Sequence, residues 1–173
     1  ALVVVAGVAL MQLSAMHQTT QRITDNILVS VQLLNRLNTD LAKARLLELR
    51  HIFNEGETYK ANVEREMQAL QQEMDGIKVD YEKLINSDAE RQTYENLLTQ
   101  RKEYVALMQS LFQLSRGGEQ ERAREMLGGR SLELYNLSSK TLVDIINIKK
   151  QQSSDEVAGA QRVYDTSLML LIS

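Results

Sequence analysis

The chain has 173 residues, a formal charge of −3, no cysteine and no proline. The lack of cysteine excludes a disulfide framework and a thiolate metal site. Charges of both signs are interspersed, so the basic face that nucleic-acid binding requires is missing. Ala, Leu, Glu, Gln, Lys, Arg and Met dominate the sequence; these are good helix formers, and no proline interrupts them. β-Branched and aromatic residues form no short alternating runs, so there is no strand signal. The expected fold class is all-α.

The chain opens on ALVVVAGVALMQLSAM, sixteen residues without a charge, and closes on LMLLIS. Each run is shorter than the roughly 20 apolar residues that span a bilayer. The first has neither the basic leader nor the cleavage site of a signal peptide. Both ends are read as parts of membrane helices. Residues 1–16 are then the end of a first transmembrane helix, 17–167 the domain between the spans, and 168–173 the start of a second transmembrane helix. The alternative is two apolar helix ends buried in a soluble assembly.

From the apolar start, one helix is predicted to run to about residue 53. Its stripe is Ile23, Ile27, Leu34, Leu37, Leu41 and Ala44, spaced by threes and fours as in a heptad seam. Forty residues of helix extend about 60 Å, and Asn54-Glu55-Gly56 supplies the break. The second helix carries Val63, Met67, Leu70, Met74, Ile77, Tyr81 and Leu84. The methionines at these positions are read as core fillers. Asn86-Ser87-Asp88 ends it, and Ser87 with Glu90 fits a capping box for the third helix.

The third helix carries Tyr94, Leu97, Arg101, Tyr104, Met108 and Leu111, and ends at Gly117-Gly118, where glycine permits a left-handed cap. After a short charged stretch from Glu119 to Leu127, Gly128-Gly129 gives another break. The fourth long helix starts near Arg130, with Leu134, Leu137, Thr141, Ile145, Ile148 and then Val163 on its stripe. Short connections make neighbouring helices antiparallel. The architecture expected is an elongated up-down-up-down four-helix bundle with both apolar ends on one side.

No catalytic motif is present: no GxSxG, no phosphate loop and no cysteine nucleophile. No enzyme activity, cofactor or metal site is expected. The two histidines stand in no HExxH spacing, and His51 is expected at the surface. The remaining question is which polar residues depart from the helical pattern. Arg101 falls on an apolar register, where a charge must find a partner, reach an edge or bind something. Its planar fork of donors suits an anion. Arg45 and Arg50 form a second cationic cluster, with Asn38 and Thr39 nearby. Tyr104 and Tyr135 stand at apolar positions with hydroxyls to satisfy. The candidate ligand-binding residues are therefore Asn38, Thr39, Arg45, Arg50, Arg101, Tyr104 and Tyr135.

Three stretches resemble the four-helix-bundle sensing domains of bacterial methyl-accepting chemotaxis proteins. They are RLNTDLAKARLLELRHIF at 36–53, GGEQERAREMLGG at 117–129 followed by Tyr135, and TLVDIINIKKQQSSDEVAGAQRVYDTS at 141–167. The resemblance implies a homodimer anchored in the inner membrane by its flanking helices, with this domain in the periplasm. It implies a small organic acid or amino acid as ligand, and a displacement of the last helix as the signal. In the family's aspartate receptors, arginines of the first helix bind carboxylates, which places Arg45 and Arg50 in the corresponding stretch. The same bundle on a histidine kinase or a cyclase is an alternative. So is a partner-binding bundle without a small ligand.

Overall fold

The structure is a computed structural model that describes the backbone of residues 2–172 and the side chains of residues 7–169. Every regular element among the described residues is helical. In chain order they are α1 (Leu2–Arg22), a wide turn (Ile23–Leu28), α2 (Val29–Ile52), α3 (Glu57–Glu82), α4 (Asp88–Arg116), α5 (Gln120–Met126), a second wide turn (Leu127–Ser131) and α6 (Leu132–Ile172). The chain divides into two compact units, Leu33–Ile146 and Ala1–Gln32 with Asn147–Ser173.

In the unit Leu33–Ile146 the apolar stripes converge on one core. Leu34, Leu37, Leu41 and Ala44 of α2 are buried, as are Val63, Met67, Met74 and Tyr81 of α3. From α4 come Tyr94, Leu97, Tyr104 and Leu111, and from α6 Leu134, Leu142 and Ile145. Cross-helix pairs show how the helices face one another. Arg36 pairs with Glu73, and Arg50 with Glu66, so numbers rise on α2 as they fall on α3. Lys60 bonds the carbonyl of Ser115, Asp75 pairs with Arg101, and Tyr81 donates to Glu90, which gives the same reversal between α3 and α4. Asn38 meets Ser139 across α2 and α6, and Glu103 meets Arg130 across α4 and α6.

Local chemistry sets the ends of these helices. Ser87 is extended (φ −142°, ψ 154°) and its hydroxyl accepts the Glu90 amide at 3.3 Å. The Glu90 carboxylate in turn accepts the Asn86 amide. At the other end of α4, Gly118 is left-handed (φ 77°) and the Glu119 amide reaches back to the Leu114 carbonyl at 3.0 Å. That is the 6→1 bond of a Schellman cap, and it explains why glycine stands there. Between α5 and α6 the helical ladder is kinked rather than cut. Only Gly129 leaves helical geometry (φ −96°, ψ −109°).

The stripe of α6 differs from the sequence expectation by one position. Ser138 is buried, whereas Leu137 is 45% exposed. Ile148 is half-buried and Lys149 is fully buried instead, and Val163, expected on the same stripe, is 47% exposed. The run 134, 138, 141, 145 and 149 follows spacings of four and three, and it carries polar residues that a search for apolar residues passes over.

In the unit Ala1–Gln32 with Asn147–Ser173, Ile27 is buried, and Lys149 donates to Asn26 at 3.0 Å. Arg22 pairs with Glu156 at 2.9 Å. The expected single helix runs on through Ile23–Leu28 as a wider, π-helical segment, with helical dihedrals at Arg22 (φ −59°, ψ −42°) and Val29 (φ −62°, ψ −44°) on either side. Among the described residues no helix is long and apolar enough to cross a membrane. Parts of the two terminal segments read as membrane helices lie outside the described residues.

Candidate functional site

The core of Leu33–Ile146 contains an apolar cavity of about 40 Å³. Its wall includes Leu37, Ala44, Met67, Met74, Leu97 and Met108, so α2, α3 and α4 all contribute, and α6 adds Ser138 and Leu142. Gln71, Lys78, Leu98, Arg101 and Val105 belong both to this wall and to a surface groove of about 330 Å³ between α3 and α4. The groove also holds Asp75 and Lys102. It therefore carries three cations, Lys78, Arg101 and Lys102, against a single carboxylate.

Arg101 stands at the junction of cavity and groove. Its side chain is only 15% exposed, and its guanidinium meets Asp75 at 3.1 Å. Asp75 is 63% exposed and also lies 3.5 Å from Lys78. Burial holds the Arg101 pKa below its ordinary value, with Asp75 acting in the opposite direction. The apolar register of Arg101 thus has a structural cause: its stem lies against the cavity wall while its head reaches the rim.

Two hydroxyls inside this region are buried without a hydrogen bond, Tyr104 Oη and Ser138 Oγ. Both residues line the cavity. Buried polar atoms are almost always bonded, so unsatisfied ones call for an explanation. Tyr104 faces the carboxylate of Glu48, and burial, with that charge, raises its phenol pKa. Glu48 is itself wholly buried, and burial holds its carboxyl above the usual value. Its Oε2 accepts from Arg45 at 2.9 Å and from Ser131 at 3.0 Å, while Oε1 has no hydrogen bond.

The sequence-derived candidates are spread over several places. Arg101 and Tyr104 come together at the cavity. Arg45 reaches the edge of the same region through Glu48, but its donors are occupied by Glu48, Ser131 (2.7 Å) and the Leu127 carbonyl (2.7 Å). Arg50 is tied to Tyr59 and Glu66 in a different groove, between α2 and α3. Asn38 accepts from Ser139 at 2.9 Å. Thr39 bonds its own helix at the Asn35 carbonyl, and Tyr135 is half-buried on α6.

Glu48 is named by sequence as an acid that could neutralise Arg45 or Arg50, and it does pair with Arg45; Asp75, Lys78, Lys102 and Ser138 were not singled out. Charged residues on a helix surface give no local sign of the neighbour they will meet. Ser138 was detectable only as the missing member of the α6 stripe. His51 is a correction. It is fully buried, not superficial, because Phe112 of α4 stacks on its ring at 4.1 Å.

Among the described residues no group of His, Cys, Asp and Glu is placed to hold a metal ion. Four helices pack around a core, and a cationic groove adjoins an internal cavity. The chain belongs to the family of four helix bundle sensory modules for signal transduction, whose model matches residues 1–164. That family is a signalling family, not a catalytic one. No curated protein sequence matches the chain.

Proposed function

We propose that this chain is the ligand-sensing domain of a bacterial transmembrane chemoreceptor, and that it binds a small organic acid or amino acid at Arg101. The observation that carries this reading is the position of Arg101. It is a largely buried guanidinium whose carboxylate partner, Asp75, is exposed, in a groove with two further cations. A ligand carboxylate arriving there competes with a weakly held, hydrated Asp75 and gains two donors from a planar fork. The organic part of the ligand enters the cavity, where Tyr104 and Ser138 offer hydroxyls to a second polar group. In this reading Arg45, Arg50 and Asn38 hold neighbouring elements together through Ser131 and Leu127, Glu66 and Ser139 respectively, and Thr39 and Tyr135 make no contact with the ligand.

The cavity has room for about two or three water molecules, so an organic acid fits only if the seam between α3 and α4 widens. Widening makes binding and displacement one event, and a ligand shifts a conformational equilibrium only by its preference for one state. The module acts as an up-down-up-down antiparallel bundle, with residues 17–167 in the periplasm between flanking membrane helices of a homodimer. The signal is a displacement of α6. A histidine kinase or cyclase output is compatible with the same domain.

The test is a thermal-shift panel of small carboxylates and amino acids. At 100 times its dissociation constant, a ligand adds about 2.7 kcal/mol of stability, read as several degrees for a domain of this size. The shift is expected to vanish in Arg101→Ala and to persist in Arg50→Ala. A flat panel, or a shift insensitive to Arg101→Ala, would overturn the small-anion reading. A flat panel would favour a bundle that binds a protein partner.

A further inference from the structure

His51 lies in the last turn of α2 and is wholly buried. Its ring stacks on Phe112 of α4 with centroids 4.1 Å apart and planes 14° from parallel. Nε2 is 2.8 Å from Glu64 Oε1 on α3. The same carboxylate accepts two hydrogen bonds from Arg116 of α4, at 2.6 and 2.9 Å. Nδ1 is buried with no hydrogen-bond partner. These contacts define the ring's resting form. It is neutral, Nε2 carries the proton and donates it to Glu64, and Nδ1 presents a bare lone pair.

The surroundings oppose a second proton. From α3, Glu64 favours it and Lys60 opposes it; from α4, Arg116 opposes it. Arg116 also bonds Glu57 at 2.8 Å, and on α2 itself the nearest acid of the preceding turn, Glu48, is held by Arg45. Burial is the largest influence and holds the His51 pKa below its ordinary value. A proton on Nδ1 would produce a buried N–H without an acceptor, which is costly unless the ring moves to water.

We propose that His51 is a proton-sensing site whose protonation releases the clasp between α2 and α4 at this end of the core. The clasp consists of the His51–Phe112 stack and the hydrogen bond from Ser115 Oγ to the His51 carbonyl, 3.2 Å. Lys60 ties it to α3 by donating to the Ser115 carbonyl at 2.7 Å. Charging the ring adds a third cation beside Lys60 and Arg116, and the relief is outward rotation of the imidazole. Phe112 follows Met108 by one helical turn, and Met108 lines the cavity. The proton is then a second input to the same bundle, and this holds whatever fills the cavity.

The direction of the effect follows from linkage. The folded pKa is depressed, so on acidification the unfolded chain takes up its proton first. Stability from neutral His51 is present above the ordinary value of about 6.5 and is lost as the pH falls from there toward the folded pKa.

The chain has two histidines, and the resonances lost in His51→Gln assign those of His51. Proton NMR of the whole chain would follow both imidazoles and the Phe112 ring from about pH 7.5 to about pH 5. His51 is expected to titrate below the ordinary imidazole value of about 6.5, with Phe112 shifting at the same midpoint. The melting temperature is expected to fall over this range, and to fall less in His51→Gln, whose side-chain amide donates to Glu64 at every pH. Titration of His51 at or above the ordinary value of about 6.5 with an unmoved Phe112 would overturn the proposal. So would an unchanged pH slope in His51→Gln. Should that variant fail to fold, the NMR titration of the unaltered chain decides alone.

Discussion

Replacing Arg45 with alanine separates a structural role from a ligand-binding one. The change removes hydrogen bonds to Glu48, Ser131 and the Leu127 carbonyl. It leaves Glu48 fully buried with Ser131 as its remaining hydrogen-bond donor. Removing one partner of a buried pair costs roughly 3–5 kcal/mol. The lower end applies here, because the Arg45 side chain is 13% exposed and Glu48, with its raised pKa, limits the penalty by taking up a proton. The expected loss is about 3 kcal/mol, or about 6–12 °C in melting temperature for a chain of this size. Urea unfolding followed by circular dichroism near neutral pH measures it. The double change Arg45→Met with Glu48→Leu should recover most of the loss, since an apolar pair of similar volume is often as stable as a buried ion pair. The loss in Arg45→Ala should also shrink in acid, where Glu48 is protonated in both states. A loss below about 1 kcal/mol, the level of an exposed pair, would refute the reasoning. So would a double variant no better than the single one.

Two further outcomes test smaller parts of the account. Ser87→Ala removes the cap of α4 at the Glu90 amide and is expected to cost about 1 kcal/mol, with Ser87→Thr restoring most of it; equal melting curves for all three chains would contradict the capping role. Ser138→Ala removes a buried hydroxyl that bonds nothing, so it is expected to be neutral or to stabilise by up to about 1 kcal/mol. A comparable loss, measured the same way, would show that the hydroxyl is already satisfied by solvent.

The helices were legible because their signals are local. The α3 stripe Val63, Met67, Leu70, Met74, Ile77 and Tyr81 is buried throughout, and the Ser87 cap and the glycine stop of α4 depend on residues a few positions apart. The kink at Gly129 was legible as a break, though not as one spanned by Arg45. The site was less legible because its properties come from residues distant in sequence. Arg101 stood out as a charge on an apolar register, but nothing near it names Asp75 as its partner. His51 looked like any polar residue near a helix end until Phe112 and Glu64 closed over it. Ser138 and Lys149 occupy core positions of α6 that hydropathy assigns to solvent. Periodicity identifies which face is buried, while polar members of that face emerge only from tertiary packing.

Met67, Met74 and Met108 form much of the cavity wall. Unbranched thioethers have several rotatable bonds and a polarisable sulfur, so they refill irregular space with little strain. A wall of this kind does not impose one shape on its occupant. On the proposed function, recognition of shape is left loose while recognition of charge is fixed at the rim, by Arg101 and the lysines beside it, so a change of preferred carboxylate would need substitutions at the rim and no rebuilding of the interior.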